Sequence, residues 1–304
     1  MDEDESMQGS EVRFILPSRQ KRAGNRHLDL LLQDEDEHEL GFMARLLIQA
    51  TMPHSDPGDV TAFSRQNGGL ALHMQPGIAT VNGRARPLGL PYGSLPRLLL
   101  AWVTTEAVRT KERELVLGES LSEFMNKLDM VPHGGRWGNI TRLREQMRRL
   151  FNARVIVNYA RPGMEADASF QIADRTVTFW DTKSPQQGAL WRSTVTLSEG
   201  FYDEVVTHPV PVDMAALKAL TRSPMAIDIY MWLTYRMSYL KRPTTVPWGT
   251  LEMQFGADYA HTRMFRYHFL KALQKVLLAY PVNVTKTDNG LQLAPSRTHI
   301  PRRT

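Results

Sequence analysis

Two clusters of cationic residues at helical spacing are the part of this chain best suited to chemistry with a polyanion. The first holds Arg142, Arg144, Arg148 and Arg149, and the second holds Arg263, Lys271 and Lys275 with Tyr267 and Gln274 among them. On a 3.6-residue helix Leu143, Met147, Leu150 and Phe151 share one stripe, and the arginines lie away from it. Phe265, Phe269, Leu273, Val276 and Leu277 form the matching stripe of the second segment. Each helix could pack on one side and meet phosphates or base edges with the other. Arginine suits that work because its planar fork matches a phosphate, or guanine O6 and N7, with two hydrogen bonds at once. Arg266 falls near the apolar edge, so it is expected to pair internally or to snorkel. Lys286, in the segment after the second helix, completes the candidate set. Taken singly, either helix also reads as an ordinary amphipathic helix with solvated charges.

The elements that must position these helices occur twice. Pro96 opens an apolar run through Val103, and Pro224 opens another from Ile227 to Leu233, 128 residues later. Each run is followed by a short helix (Ser120 to Met125, then Trp248 to Met253), a turn, the basic helix and strands. Ser120 with Glu123 three residues on has the capping-box pattern. Asn139 or Thr141 is expected to cap the first basic helix, and Asp213 a short helix carrying Leu217 and Leu220. Strands are expected at 154–159, 169–173, 176–180 and 194–197, more than a minimal wing requires, with the surplus read as an interaction surface for dimerisation. Asn289-Gly290 signals a closing hairpin. The reading is α+β: tandem winged-helix domains (helix-turn-helix with a β-wing) preceded by a disordered acidic arm.

Charge supports this division. Residues 1–40 carry 5 Lys/Arg against 11 Asp/Glu, residues 41–212 carry 19 against 16, and residues 213–304 carry 13 against 5. The excess of cations in the last third favours nucleic acid as partner. The expected segments are a disordered acidic arm at 1–40, an N-terminal winged-helix domain with enlarged sheet at 41–208, a C-terminal winged-helix domain at 209–295 and a basic tail at 296–304. The first domain is expected to begin in a helix carrying Leu40, Met43, Leu46 and Leu47. His208-Pro209-Val210-Pro211 marks the domain boundary, because two prolines in three residues resist helix and central strand alike.

The chain has 304 residues, 42% of them hydrophobic, and no cysteine, which excludes disulfides and thiolate zinc sites. Neither a secretory signal nor an apolar run of membrane-spanning length is evident, and the expected location is the bacterial cytoplasm. No metal or cofactor is expected. The Asp34–Glu37 run reads as solvated acids and not as a metal site. Gly-x-x-x-x-Gly-Lys-Ser/Thr and Gly-x-Ser-x-Gly are both absent. Ser55 between His54 and Asp56 reads as turn chemistry, since adjacent side chains point apart.

These segments resemble the plasmid-encoded RepA-type replication initiators of broad-host-range plasmids. The resemblance is carried by Gln49 to Pro57, Gly89 to Trp102, Thr105 to Thr110, Leu117 to Met125, and Gly134-Gly135-Arg136-Trp137-Gly138. It spans about residues 42–280, is densest between 89 and 151, and leaves out the acidic arm. It implies a non-enzymatic protein that binds direct repeats (iterons) in double-stranded DNA at an origin, promotes melting, and recruits host DnaA and the replicative helicase. It also implies a homodimer in equilibrium with monomer, and a C-terminal unit that makes most base contacts. The alternatives are a tandem winged-helix transcriptional repressor and an origin-nicking enzyme. A nickase would want a His-x-His pair, which does not occur here.

Overall fold

The computed structural model describes residues 12–13, 39–135, 138–180, 192–256, 259 and 261–301. It is a mixed α+β structure of nine helices and five small sheets among the described residues. The Asp34–Glu37 run, Arg136-Trp137, Arg302-Arg303 and nearly all of the acidic arm lie outside them.

A first unit runs α2 (Ser94–Thr110), β7 (Glu114–Gly118), α3 (Leu121–Lys127), α4 (Asn139–Phe151), β8 (Arg154–Arg161), β9 (Met164–Gln171), β10 (Ala173–Val177) and β11 (Ser193–Leu197). A second runs α7 (Pro224–Met237), β13 (Thr244–Pro247), α8 (Trp248–Phe255), α9 (Thr262–Ala279), β14 (Val284–Lys286) and β15 (Gly290–Leu293). The repetition extends to sheet order. In the first unit the strands lie β10-β11-β7, and in the second β14-β15-β13, so the last strand is central each time. All these pairings are antiparallel.

The first unit differs by an insertion. Strands β8 and β9 intervene between its basic helix and β10, and β8 pairs with β4 (Leu70–Gln75). With β3 (Phe63–Asn67) they form a second sheet, β3-β4-β8-β9. The Asn67-Gly68-Gly69 segment makes the turn from β3 into β4, and Gly68 holds a φ of 59° there. Leu72, Met74, Val155 and Val157 alternate with more exposed neighbours, so one face of this sheet enters the core.

Local chemistry explains most of the ends. Ser120 accepts a hydrogen bond from the Glu123 amide at 3.1 Å, and the Glu123 carboxylate accepts one from the Glu119 amide at 2.8 Å. That is the expected box, shifted by one donor. Asp213 caps α6 (Met214–Ala219) by accepting from the Ala215 amide at 2.8 Å. The N-cap of α4 is Gly138, not Asn139 or Thr141. Asn139 instead accepts from the His133 amide at 2.6 Å, and Thr141 donates to the Gly135 carbonyl at 3.1 Å. Both brace the turn before the helix.

One expectation is corrected at the chain's start. Leu40–Ala44 is a strand, β2, and only Arg45–Gln49 (α1) is helical. Its partner is β12 (Pro209–Asp213), the proline-rich segment. Both strands of a two-stranded ribbon have an open edge, so Pro209 and Pro211 need no amide proton there. Val12–Arg13 (β1), within the arm expected to be disordered, pairs with β14, Val12 opposite Lys286. The open edge of β14 offers backbone groups that any extended segment can satisfy. At the other end, His299 stacks on Tyr280 at 4.8 Å, and Tyr280 donates to the Arg297 carbonyl, so the described part of the basic tail lies on the second unit.

Candidate nucleic-acid interface

Both basic helices are seated as their stripes require. Leu143, Met147, Leu150 and Phe151 are buried, joined by Ile140 and Gln146. Phe265, Phe269, Leu273, Val276 and Leu277 are buried in α9. An aromatic cluster fixes this second helix: Phe269 meets Trp248 at 6.1 Å and Phe255 at 5.5 Å, and Phe255 meets Trp232 at 5.4 Å. Edge contacts of this kind add to the stabilisation that burial gives.

The outward faces differ in how much of their charge is unpaired. On α9, Arg263, Tyr267, Lys271, Gln274 and Lys275 are all exposed. The first four recur at spacings of four, four and three, which draws them into one stripe along the helix. None of these cations forms an ion pair among the described residues. Arg266 lies outside that stripe, its guanidinium 5.3 Å above the Trp248 ring, which is the snorkelling posture expected of it. Lys286 is half-buried within β14, between β1 and β15.

On α4, Arg142, Arg144 and Arg148 are exposed and make no ion pair among the described residues, whereas Arg149 is engaged inside the protein. Its guanidinium bonds the Glu145 carboxylate and the Leu90 carbonyl, reaches Asp56 at 3.4 Å and lies 5.2 Å over the Tyr92 ring. Arg149 thus holds the 89–92 segment against α4. Gln146, buried beneath it, accepts a hydrogen bond from the Tyr92 amide at 3.0 Å.

What sequence reasoning missed is the joint between the units. Arg97 of α2 and Asp228 of α7, each the one charge in its apolar run, meet in the interior with 1% and 2% exposure. Nε of Arg97 donates to Oδ1 at 2.7 Å and Nη2 to Oδ2 at 2.6 Å. The three remaining N–H groups bond the carbonyls of Met52, Pro53 and Gly93, so the guanidinium is fully satisfied. His54 adds an Nε2 contact to Asp228 at 2.8 Å, while its Nδ1 has no partner. Burial lowers the His54 pKa below the usual histidine value, only partly opposed by Asp228. Burial alone would raise the Asp228 carboxyl, but Arg97 and His54 hold it below the ordinary range. A neutral imidazole donating from Nε2 fits both.

His54, Ser55 and Asp56 therefore do not converge. His54 turns inward to Asp228, and Asp56 accepts from the Gly58 amide at 3.1 Å in a local turn while facing Arg149. No helix among the described residues is long and apolar enough to cross a membrane.

Comparison with known proteins follows this architecture. A crystal structure of domain 2 and domain 3 of RctB superposes with a TM-score of 0.52 at 10% identity, covering 80% of this chain and 94% of that one. At that identity the likeness concerns the fold. No curated protein sequence matches the chain. The sequence model of the family described as "Plasmid encoded RepA protein" matches residues 90–249, from the segment held by Arg149 through the start of α8. That match takes in more than half of the chain, which belongs to the family of plasmid-encoded RepA proteins, the RepA-type replication initiators.

Proposed function

We propose that this initiator binds short direct repeats in duplex DNA through two winged-helix units, α4 and α9 each entering a major groove. The observation that carries the reading is the pair of basic helices. Each is anchored by an apolar stripe and leaves its outward cations unpaired, within units whose three corresponding strands share one order. Arg263, Tyr267, Lys271 and Gln274 are the base-reading set, with Lys275 and Lys286 beside them. Arg142, Arg144 and Arg148 supply backbone contacts from the first unit. Arg149 acts by positioning α4.

In this reading the division is an acidic arm (1–40), a first domain (41–208), a second domain (209–295) and a basic tail (296–304). Several copies bound in phase would bend the origin and favour melting, at an energetic cost set by the local sequence. Recruitment of DnaA and the replicative helicase, and exchange between monomer and homodimer, complete the proposal. The protein would act in the bacterial cytoplasm, without cofactor and without cutting DNA.

The test is a footprint on the DNA flanking the gene, followed by an assay on the supercoiled protected DNA with magnesium. Protection of direct repeats with unwinding and no strand cleavage is expected. Relaxation by nicking would instead make it an enzyme. Absence of any protected repeat would remove the initiator mechanism proposed here.

A further inference from the structure

The first unit carries one more cationic element, a two-stranded ribbon between β4 and α2. Strands β5 (Ile78–Val81) and β6 (Arg84–Pro87) pair only with each other among the described residues. Asn82 and Gly83 join them with φ of 50° and 73°, the left-handed pair that a tight two-residue hairpin requires. Every residue of β6 is exposed. So small a ribbon buries too little to be stable by itself, and it stands on whatever holds its base.

That base is α4. The Leu88 amide donates to the Gly77 carbonyl at 2.8 Å and closes the ribbon's legs. A Cβ on Gly77 would fall 2.5 Å from Asn152, the residue that caps the C-terminal end of α4. One on Gly89 would fall 3.0 Å from the Arg149 guanidinium. Two glycines thus let the legs press on the helix end, and Arg149 secures the segment through Leu90.

We infer that the β5–β6 ribbon is a DNA-contacting arm of the first unit, which sets Arg84 and Arg86 on the phosphate backbone beside the groove met by α4. The inference rests on the proposed DNA-binding role of that helix. Arg84 and Arg86 stand two apart on one strand and so share a face, opposite Val81 and Ala79 in register. Residues 78–87 contain no acid, and neither arginine has an ion pair among the described residues. Two unpaired cations on a ribbon seated at the end of the helix that carries the unpaired Arg142, Arg144 and Arg148 match a polyanion in charge. Reach agrees as well. Four extended residues carry the arm about 13 Å from its base, close to the ~12 Å width of a major groove.

The experiment uses the full chain, a duplex of the footprinted DNA and a random-sequence duplex, with affinity measured across salt. Compared with the wild type are Arg84→Gln/Arg86→Gln, Arg84→Lys/Arg86→Lys, and a helix control, Arg142→Gln/Arg144→Gln/Arg148→Gln. Losing two phosphate contacts should lower the slope of log affinity against log salt by about 1.8. The footprint should shorten on one flank, while the lysine variant keeps slope and footprint. Unchanged slope and footprint in the glutamine variant, with the helix control weakened, would overturn the arm and leave the DNA-binding reading standing. Loss of binding in the lysine variant as well would also count against the arm, because charge would not be what matters. Failure of the wild type to bind either duplex would sink both.

Discussion

Arg97 and Asp228, 131 residues apart, form a two-pronged ion pair near the N-terminal ends of α2 and α7. Each belongs to the long helix of its own unit, so this contact ties α2 to α7. Lesser contacts join it: Thr51 donates to the Gln254 carbonyl at 3.0 Å, and Arg97 itself gathers the 52–53 backbone.

Removing one partner alone leaves a buried charge without its counterion. Asp228→Leu or Arg97→Met should each lower stability by about 3–5 kcal/mol, whereas the double replacement Arg97→Met/Asp228→Leu should cost much less than the two summed. Urea unfolding of the four proteins in the cycle measures this. Additive losses would show that the pair is not coupled.

Acid should weaken the joint through His54. Its pKa is lowered on folding, so the unfolded chain takes up the proton first as pH falls. The contribution is fully present above the unfolded value of about 6.5 and drains away below it, towards the folded value. Urea midpoints between pH 8 and pH 5, with acquisition of the slope abolished in His54→Gln, would display it. Asp228, also lowered, adds a loss only below the ordinary carboxylate range of about 4.

Arg149 and Arg263 should separate structure from recognition. Arg263→Ala and Lys271→Ala should each weaken specific binding by roughly 1–3 kcal/mol and relax sequence preference. Arg149→Ala should mainly lower the thermal midpoint, because it unties Leu90, Asp56 and Glu145 from one another. Competition binding with mutated repeats, read beside thermal melts, decides between these roles.

Gly290 is a steric test of the second sheet. A Cβ there would lie 2.1 Å from the Val246 carbonyl oxygen, which is backbone and cannot swing aside. Gly290→Ala should destabilise by about 1–3 kcal/mol, the usual cost of overpacking. A wild-type unfolding midpoint would mean that β13 and β15 are not paired as described.

Much of this was legible along the chain, because apolar periodicity, caps and turn residues act over a few positions. The stripes of α4 and α9, the caps at Ser120 and Asp213 and the β14–β15 hairpin all follow from neighbours close in sequence, although Gly290 of the Asn-Gly signal stands in β15 and neither residue takes a positive φ. The cationic faces were equally plain, although which arginine stays unpaired was not. Arg149 looks like Arg148 in sequence, and only the return of Asp56 and Leu90 to its side distinguishes them.

The helix assigned to residues 40–44 failed for a related reason. Leu40, Met43, Leu46 and Leu47 satisfy a helical spacing, but a partner 169 residues away in β12 offers the backbone a ladder that propensity cannot foresee. A signal for the buried joint did exist: one arginine and one aspartate, each alone in an apolar run, must find each other or be expelled. Composition and spacing by themselves determined two basic amphipathic helices and the elements around them. The fold alone decided which distant residues meet, since a buried charge, a sheet edge and a ribbon's footing are settled by whatever the rest of the chain brings alongside.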